Sequence, residues 1–245
     1  MAHRISRIAV LGLFFLFLSS GLLHAQFPQI PQTPGLGGKS NNAAGLDDAK
    51  IASGLKEALS VGTQKAVRLV DQPGGYLNNE AIKILLPQNL RPVERVLRGI
   101  GQGPRVDEFV ASMNHAAESA APEAETIFAD AVKEMTIDDA RKLLNGGDTS
   151  ITEYFKSKTS VRLATAFRPH VEAAMNKNGV TQQYQGLVGQ VPWTPFGSGS
   201  SLDINGYVVN KALDGLFYML GQQEKEIRTN PAARTTALLK QVFGR

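Results

Sequence analysis

The 245-residue chain contains no cysteine. This absence excludes disulfide bonds, thiol chemistry, thiolate metal sites, iron–sulfur clusters and a lipid anchor attached through cysteine. A folded domain built from this chain must therefore be stabilised by its hydrophobic core.

The sequence also lacks the motifs of common catalytic and phosphate-binding sites. It contains no G-x-S-x-G, and neither His115 nor His170 lies in a recognisable catalytic context, which argues against a nucleophilic triad. The Gly/Ser-rich run 197–201 has neither the strand–loop–helix setting nor the lysine of a phosphate loop. We therefore predict no catalytic residue, no metal site and no cofactor.

Long apolar runs are scarce, and the one near the N-terminus has the form of a signal peptide. Arg4 and Arg7 precede an apolar core over 8–18, and small residues lead to a possible cleavage site after Ala25. The core is too short for a comfortable membrane span, although an uncleaved N-terminal anchor is the alternative. We expect residues 1–25 to be a signal peptide and the protein to be exported, either periplasmic or secreted.

Net charge bears on the kind of partner to expect, and local composition indicates where the folded domain begins. Cleavage after Ala25 would leave 220 residues and would lower the formal net charge from +4 to +2 by removing Arg4 and Arg7. This small excess is a weak argument for a polyanion, and we predict no nucleic-acid partner. Pro, Gly, Gln and Asn dominate the next stretch, so we expect a flexible tether over 26–45 and one helical domain over 46–245.

Apolar residues from position 46 onward recur at steps of three and four, and no long period-2 run interrupts them. The sequence therefore predicts an all-α fold, an irregular single-domain bundle of about nine helices. We expect the segment 76–87 to be extended or briefly helical. A cap at Asn89, Pro at the start of helices near 104 and 122, and a capping box over 136–139 mark the next helices.

The predicted boundaries of the later helices depend on glycine and proline. Asn145–Gly147 should end a helix through positive φ. A short helix from 148 or 150 and a separate one from 159 or 160 should follow, with Pro169 kinking or dividing the second. A short helix over 182–188, a loop over 192–201, and a last helix over 232–243 capped by Asn230 complete the prediction.

The stretch 202–228 predicts the central helix of the bundle. Ile204, Val208, Ala212, Gly215 and Met219 lie on one face at helical spacing, and neighbouring apolar residues widen that face beyond the usual stripe of roughly 100°. A helix that is apolar over more than half its circumference requires neighbours on several sides.

A narrow polar strip remains on this helix, formed by Tyr207, Lys211, Asp214 and Tyr218. Lys211 and Asp214 are three residues apart and can pair directly. One interpretation is a partly buried ion pair where two helices cross. The other is a ligand-binding pocket in which Lys211 holds an anion and the two tyrosines line the wall.

Two other clusters suggest binding chemistry. His115 and Glu118 share a helix face at i, i+3, a spacing used by metal ligands in carboxylate bundles, but the shortage of histidines favours an ordinary capped or salt-bridged surface pair. Arg91, Arg95 and Arg98 form a basic stripe that predicts a face for anionic lipid headgroups. Alternatively, this basic stretch faces the acidic one over 118–139, or both lie in solvent.

Four stretches resemble the bacterial domain-of-unknown-function family 4197: GLKEALSVGTQKAV (54–67), YLNNEAIKILLP (76–87), the run 113–155 that begins MNHAAESAAPEAETIFADAVKEMTIDDARKLLNGG, and KALDGLFYMLGQQEKEIRTNPAARTTALLKQVFG (211–244). The resemblance implies an exported, mostly helical envelope protein and supplies no established activity or catalytic residue. Similar members often carry a lipoprotein cysteine after the signal, which this chain lacks, so a soluble periplasmic protein is favoured.

These observations lead to two functional hypotheses. The first is a non-enzymatic helical envelope protein that binds a small ligand or a protein partner through the polar strip, with weak contact to anionic lipid headgroups. The second is a carboxylate-dependent hydrolase of the cell envelope that uses residues among Glu118, Glu153 and Asp214. Two carboxylates converging in a deep cleft would favour the hydrolase.

Overall fold

A computed structural model describes residues 48–179, 182, 186, 203–234 and 236–243. The predicted signal peptide, the tether, the loop over 192–201 and most of the short helix over 182–188 lie outside these residues. Within them the fold is all-α, as predicted, and no strand is present.

Eight α-helices form the described part of the bundle, close to the predicted number of about nine. Short 3₁₀ turns at Gln88–Leu90, Lys177–Gly179 and Pro231–Ala233 accompany them. The helices are α1 (Asp48–Val70), α2 (Arg91–Gly99), α3 (Gly103–Ala120), α4 (Glu123–Glu134), α5 (Ile137–Leu144), α6 (Ser150–Asn176), α7 (Ile204–Thr229) and α8 (Ala237–Phe243).

Helix α7 occupies the centre that the sequence predicts for it. It packs against α1, α3 and α6, and its apolar residues Val208, Ala212 and Leu216 are fully buried. Helix α6 shares this position, because it packs against α3, α4 and α7. Phe217 of α7 lies 6.2 Å from Phe128 of α4, measured between ring centroids.

Helix α6 is one continuous helix, so the predicted division near 156–159 is wrong. The hydroxyl of Thr159 donates to the Phe155 carbonyl at 2.6 Å, and that of Ser160 donates to the Lys156 carbonyl at 2.6 Å. These hydroxyls bond back into their own helix and do not cap a new one. The helix also continues through Pro169.

The predicted end of α5 also differs from the structure. Gly146 and Gly147 do not adopt positive φ; the glycines that do so among the described residues are Gly74, Gly101 and Gly179. The final carbonyls of α5 are instead satisfied by side chains, since Ser150 donates to the Leu143 carbonyl at 3.0 Å.

The predicted caps have a mixed outcome. The capping box of Thr136 and Asp139 is confirmed, with both reciprocal hydrogen bonds formed. Asn89 lies inside a 3₁₀ turn, and no side chain caps the start of α2. Asn230 does cap, but it caps the turn Pro231–Ala233, and the last helix begins only at Ala237.

The segment 71–90 between α1 and α2, hereafter the connector, is pinned by buried polar groups. The Tyr76 hydroxyl donates to the Ala212 carbonyl of α7 at 2.7 Å, and this side chain is fully buried. Glu118 Oε1 of α3 accepts from the backbone N–H groups of Tyr76 and Leu77, both at 3.1 Å. Asn114 Oδ1 accepts from the Ile84 N–H at 2.8 Å, and Asn114 Nδ2 donates to the Ile84 carbonyl at 2.9 Å.

A second buried carboxylate, Glu224 of α7, caps α6 from outside that helix. It accepts from the N–H groups of Ile151 (3.1 Å) and Thr152 (2.9 Å) and from the Thr152 hydroxyl (2.8 Å). Arg228, one turn further along α7, pairs with Glu224 at 3.0 Å and donates to the Leu143 carbonyl at the end of α5. The Glu224–Arg228 ion pair therefore provides hydrogen-bond partners for backbone groups at the start of α6 and at the end of α5.

Replacing Gly215 by alanine should destabilise the fold, because an added Cβ would lie 2.6 Å from Tyr76 Cε1 in a fully packed region. We expect the free energy of unfolding to fall by about 1–3 kcal/mol, the usual effect of overpacking. Gly221→Ala is the control, since its Cβ would meet nothing nearer than 3.6 Å and should gain up to about 1 kcal/mol of helix propensity. Urea unfolding followed by circular dichroism measures both. Equal stability of the two variants would contradict the packing shown at Gly215.

Replacing Glu224 by glutamine should also destabilise the protein, by about 3 kcal/mol, because it removes a buried anion from the partly buried Arg228, whose side chain is 13% exposed. Glu172→Gln is the matched control. Its pair with Arg168 is 3.8 Å long and exposed, so its loss should cost less than about 1 kcal/mol. Urea unfolding of the two variants compares them. A Glu224 variant as stable as the control would show that the helix ends do not depend on this carboxylate.

Candidate functional site

The predicted polar strip lies on the outer side of α7. Lys211 Nζ is 2.8 Å from Asp214 Oδ2, and these side chains are 46% and 62% exposed. The interpretation that this pair is partly withdrawn from water is therefore wrong. The hydrogen bond to Asp214 raises the pKa of Lys211. Tyr218 is also exposed.

Tyr207 joins the strip to the connector. Its hydroxyl donates to the Leu85 carbonyl at 2.8 Å, and its side chain is half-buried. Burial raises the pKa of Tyr207, while the positive charges of Lys211 and Arg91 oppose that rise. Arg91, the first residue of α2, lines the same cleft as Leu85, so the start of α2 lies near the strip.

A cleft of about 360 Å³ lies where the connector, α2 and α3 meet. Its volume is at the lower end of the range for small-molecule sites. Three cationic, two acidic and three aliphatic side chains line it: Lys83, Arg91 and Arg98; Glu94 and Asp107; and Leu85, Leu86 and Val110. Because Leu85 also accepts the Tyr207 hydrogen bond, two sites predicted separately, the strip and the arginine stripe, lie next to each other.

The arginine stripe is not uniform. Arg98 donates to Glu94 at 2.9 Å and to Asp107 of α3 at 2.6 Å, and the hydrogen bond from Arg98 holds the pKa of Asp107 below its usual value. Arg91 and Arg95 are exposed. The predicted lipid-facing surface can therefore offer Arg91 and Arg95 directly, whereas Arg98 already has two carboxylate partners.

His115 and Glu118 contact each other, but Glu118 is not a surface residue. Its Oε2 lies 2.9 Å from His115 Nδ1, its Oε1 holds the connector, and the side chain is 6% exposed. Both carboxylate oxygens thus have structural partners. In the described part of the chain, no group of three or more acidic or histidine side chains is arranged to hold a metal ion.

Three acidic residues of α4 pair with α6 and not with the basic stretch around α2. Arg162 lies 3.3 Å from Asp130 and 3.6 Å from Glu134, and His170 lies 3.1 Å from Glu123. The interpretation in which the two oppositely charged stretches face one another is therefore wrong for these residues, because α6 supplies the partners.

The other carboxylates proposed for a hydrolase occupy separate environments. Glu153 is exposed in the first turn of α6, and Asp214 pairs with Lys211 at the surface. None of Glu118, Glu153 and Asp214 lines the cleft. The two carboxylates that do line it, Glu94 and Asp107, both bind Arg98.

Fold and site together define a class: an all-α bundle with a solvent-facing polar strip beside a small charged cleft. None of the helices that the structure describes is both long and apolar enough to cross a bilayer. The family described as "Protein of unknown function (DUF4197)" matches residues 45–244, so the chain belongs to that family. No curated protein and no solved structure matches the chain.

Replacing Arg98 by glutamine should raise the pKa of Asp107 toward its ordinary value of 3.8, because the hydrogen bond that lowers it is lost. The stability that this pair contributes should be present above that value and should disappear as the pH falls through the lowered pKa. A carboxyl-carbon NMR titration of both proteins measures the pKa. Asp139 is the internal control, since its pKa is lowered by Thr136 and should not change. An unchanged Asp107 pKa would contradict the pairing.

Proposed function

We propose that this protein is an exported, non-catalytic helical protein that binds an anionic ligand or protein partner where α7 meets the connector. The observation that carries the proposal is the Tyr207–Leu85 hydrogen bond of 2.8 Å, which brings the polar strip to the edge of the cleft. The positive charges of Lys211 and Arg91 both act on this tyrosine.

The chemistry of this region supports binding in preference to hydrolysis. General acid–base catalysis by a carboxylate pair needs one group that can take up a proton and one that stays ionised. At the cleft, Arg98 binds both Glu94 and Asp107, and it keeps the pKa of Asp107 low. A carboxylate held ionised in this way is a poor proton donor at neutral pH.

Export is the second part of the proposal, and it is supported by the N-terminal sequence. A basic start, an apolar core over 8–18 and small residues before Ala25 are the pattern that secretory signal peptides share. Outside the cytoplasm the protein would meet envelope proteins and small ligands and would rarely meet nucleic acid.

Lys211→Met should abolish capture of the partner or ligand while leaving the fold intact, because Lys211 is exposed and its ion pair with Asp214 lies at the surface. A photo-crosslinking amino acid placed at Tyr218, which is 46% exposed, reports capture in living cells. Mass spectrometry of the crosslinked species and of small molecules that co-purify with the protein identifies what is bound.

Lys225→Met is the matched control. Lys225 is exposed on the same helix, about 21 Å from Lys211 at 1.5 Å per residue. We expect this variant to capture the same species as the unmodified protein. If capture is equal with Lys211→Met and with Lys225→Met, and both variants are folded, the strip is not the binding surface.

A further inference from the structure

The charged groups of the cleft do not balance one another evenly. Arg98 forms ion pairs with both carboxylates of the cleft, Glu94 at 2.9 Å and Asp107 at 2.6 Å. Lys83 lies 4.0 Å from the carboxylate of Glu80, whose side chain is 90% exposed, and its positive charge also acts on Asp107. The lining therefore carries three cations against two anions, a net charge of +1, and both anions form their ion pairs with Arg98 and not with Arg91.

The remaining side chains that line the cleft are apolar. Leu85 is 52% exposed, although it lies in a segment whose neighbours Ile84 and Leu86 are buried. Leu86 and Val110 continue the same lining. An exposed leucine in the same lining as Arg91 offers both contacts that an amphiphile requires, since apolar area is removed from water while a charge is paired.

We infer that the cleft binds a small amphiphilic organic anion carrying a single negative charge, such as a medium-chain carboxylate. Arg91 pairs with the anionic group, Lys83 supports it, and Leu85 with Val110 contacts the apolar chain. This inference rests on the proposed function and specifies its ligand class.

The two acidic side chains of the cleft set the limit on ligand charge. A polyanion would bring additional charge close to Glu94 and Asp107, and like charges at short distance repel. The single positive charge in excess matches a carboxylate, for which the guanidinium of Arg91 has the appropriate paired donors. The volume of about 360 Å³ suits a small ligand.

The test is a calorimetric titration of the full-length protein with octanoate, octanamide and octyl phosphate. Octanoate has the predicted charge and chain, octanamide lacks the charge, and octyl phosphate carries about 1.5 to 2 negative charges at neutral pH. We expect octanoate to bind at least tenfold more tightly than either of the others. Octyl phosphate binding more tightly than octanoate would overturn the single-charge assignment, and equal binding of octanamide would overturn the role of charge.

Arg91→Gln and Arg95→Gln form the matched pair of variants. Both arginines are exposed on α2, but only Arg91 lines the cleft. We expect Arg91→Gln to weaken octanoate binding at least tenfold and Arg95→Gln to change it less than twofold. Leu85→Ser should weaken binding too, while far-ultraviolet circular dichroism confirms that each variant is folded.

Flotation with vesicles containing phosphatidylglycerol separates a free ligand from a lipid headgroup. A membrane-surface contact would depend on Arg91 and Arg95 alike, because both side chains reach solvent. Equal losses of octanoate binding in the two variants would overturn the cleft assignment, and equal losses in flotation as well would assign the binding to such a surface.

The outcome is also separable from that of the proposed function. Octanoate binding needs only the purified protein, whereas the crosslinking experiment reports on the strip in cells. One outcome is that Lys211→Met abolishes capture while Arg91→Gln leaves octanoate binding unchanged. That outcome would support the strip as the binding surface and overturn the ligand class inferred for the cleft. If Lys211→Met still captures its partner and Arg91→Gln weakens octanoate binding, the cleft is supported and the binding role of the strip is overturned.

Discussion

The position of the connector depends on buried hydrogen bonds that reach it from two helices. Glu118 and Asn114 of α3 bind its backbone, and Tyr76 fixes it to the Ala212 carbonyl of α7. Backbone polar groups buried without partners would be costly, so these side chains make it possible for an irregular segment to cross the bundle. The cleft follows from this arrangement, since the connector supplies Lys83 and Leu85 to its lining.

Buried carboxylates serve the same purpose at two separate places in the bundle. Glu118 accepts two backbone N–H groups of the connector, and Glu224 accepts two at the start of α6. Each has a basic partner nearby, His115 for the first and Arg228 for the second. A chain that has no disulfide to hold its irregular segments and helix ends uses charge-assisted hydrogen bonds between helices for this purpose.

At the surface, ion pairing determines which charged side chains are available to bind a ligand. Arg98 is bound by two carboxylates, whereas Arg91, seven residues earlier on the same helix, is not among the residues they bind. The sequence presents these arginines as equivalent members of one stripe. The structure makes them different, because Asp107 comes from the next helix and reaches only one of them.

The sequence by itself determined the helical class, most helix limits and the burial of α7, because these follow from local periodicity and from caps such as Thr136 with Asp139. It could also have indicated Asn114 and Glu118, which extend the row of Val106 and Val110 at steps of four. Only the tertiary structure decided that Glu118 is buried, that Lys211 and Asp214 are exposed, and that Tyr207 meets Leu85. Those outcomes depend on contacts between residues far apart in the chain, such as position 85 with 207, and helical spacing carries no information about which helix lies opposite.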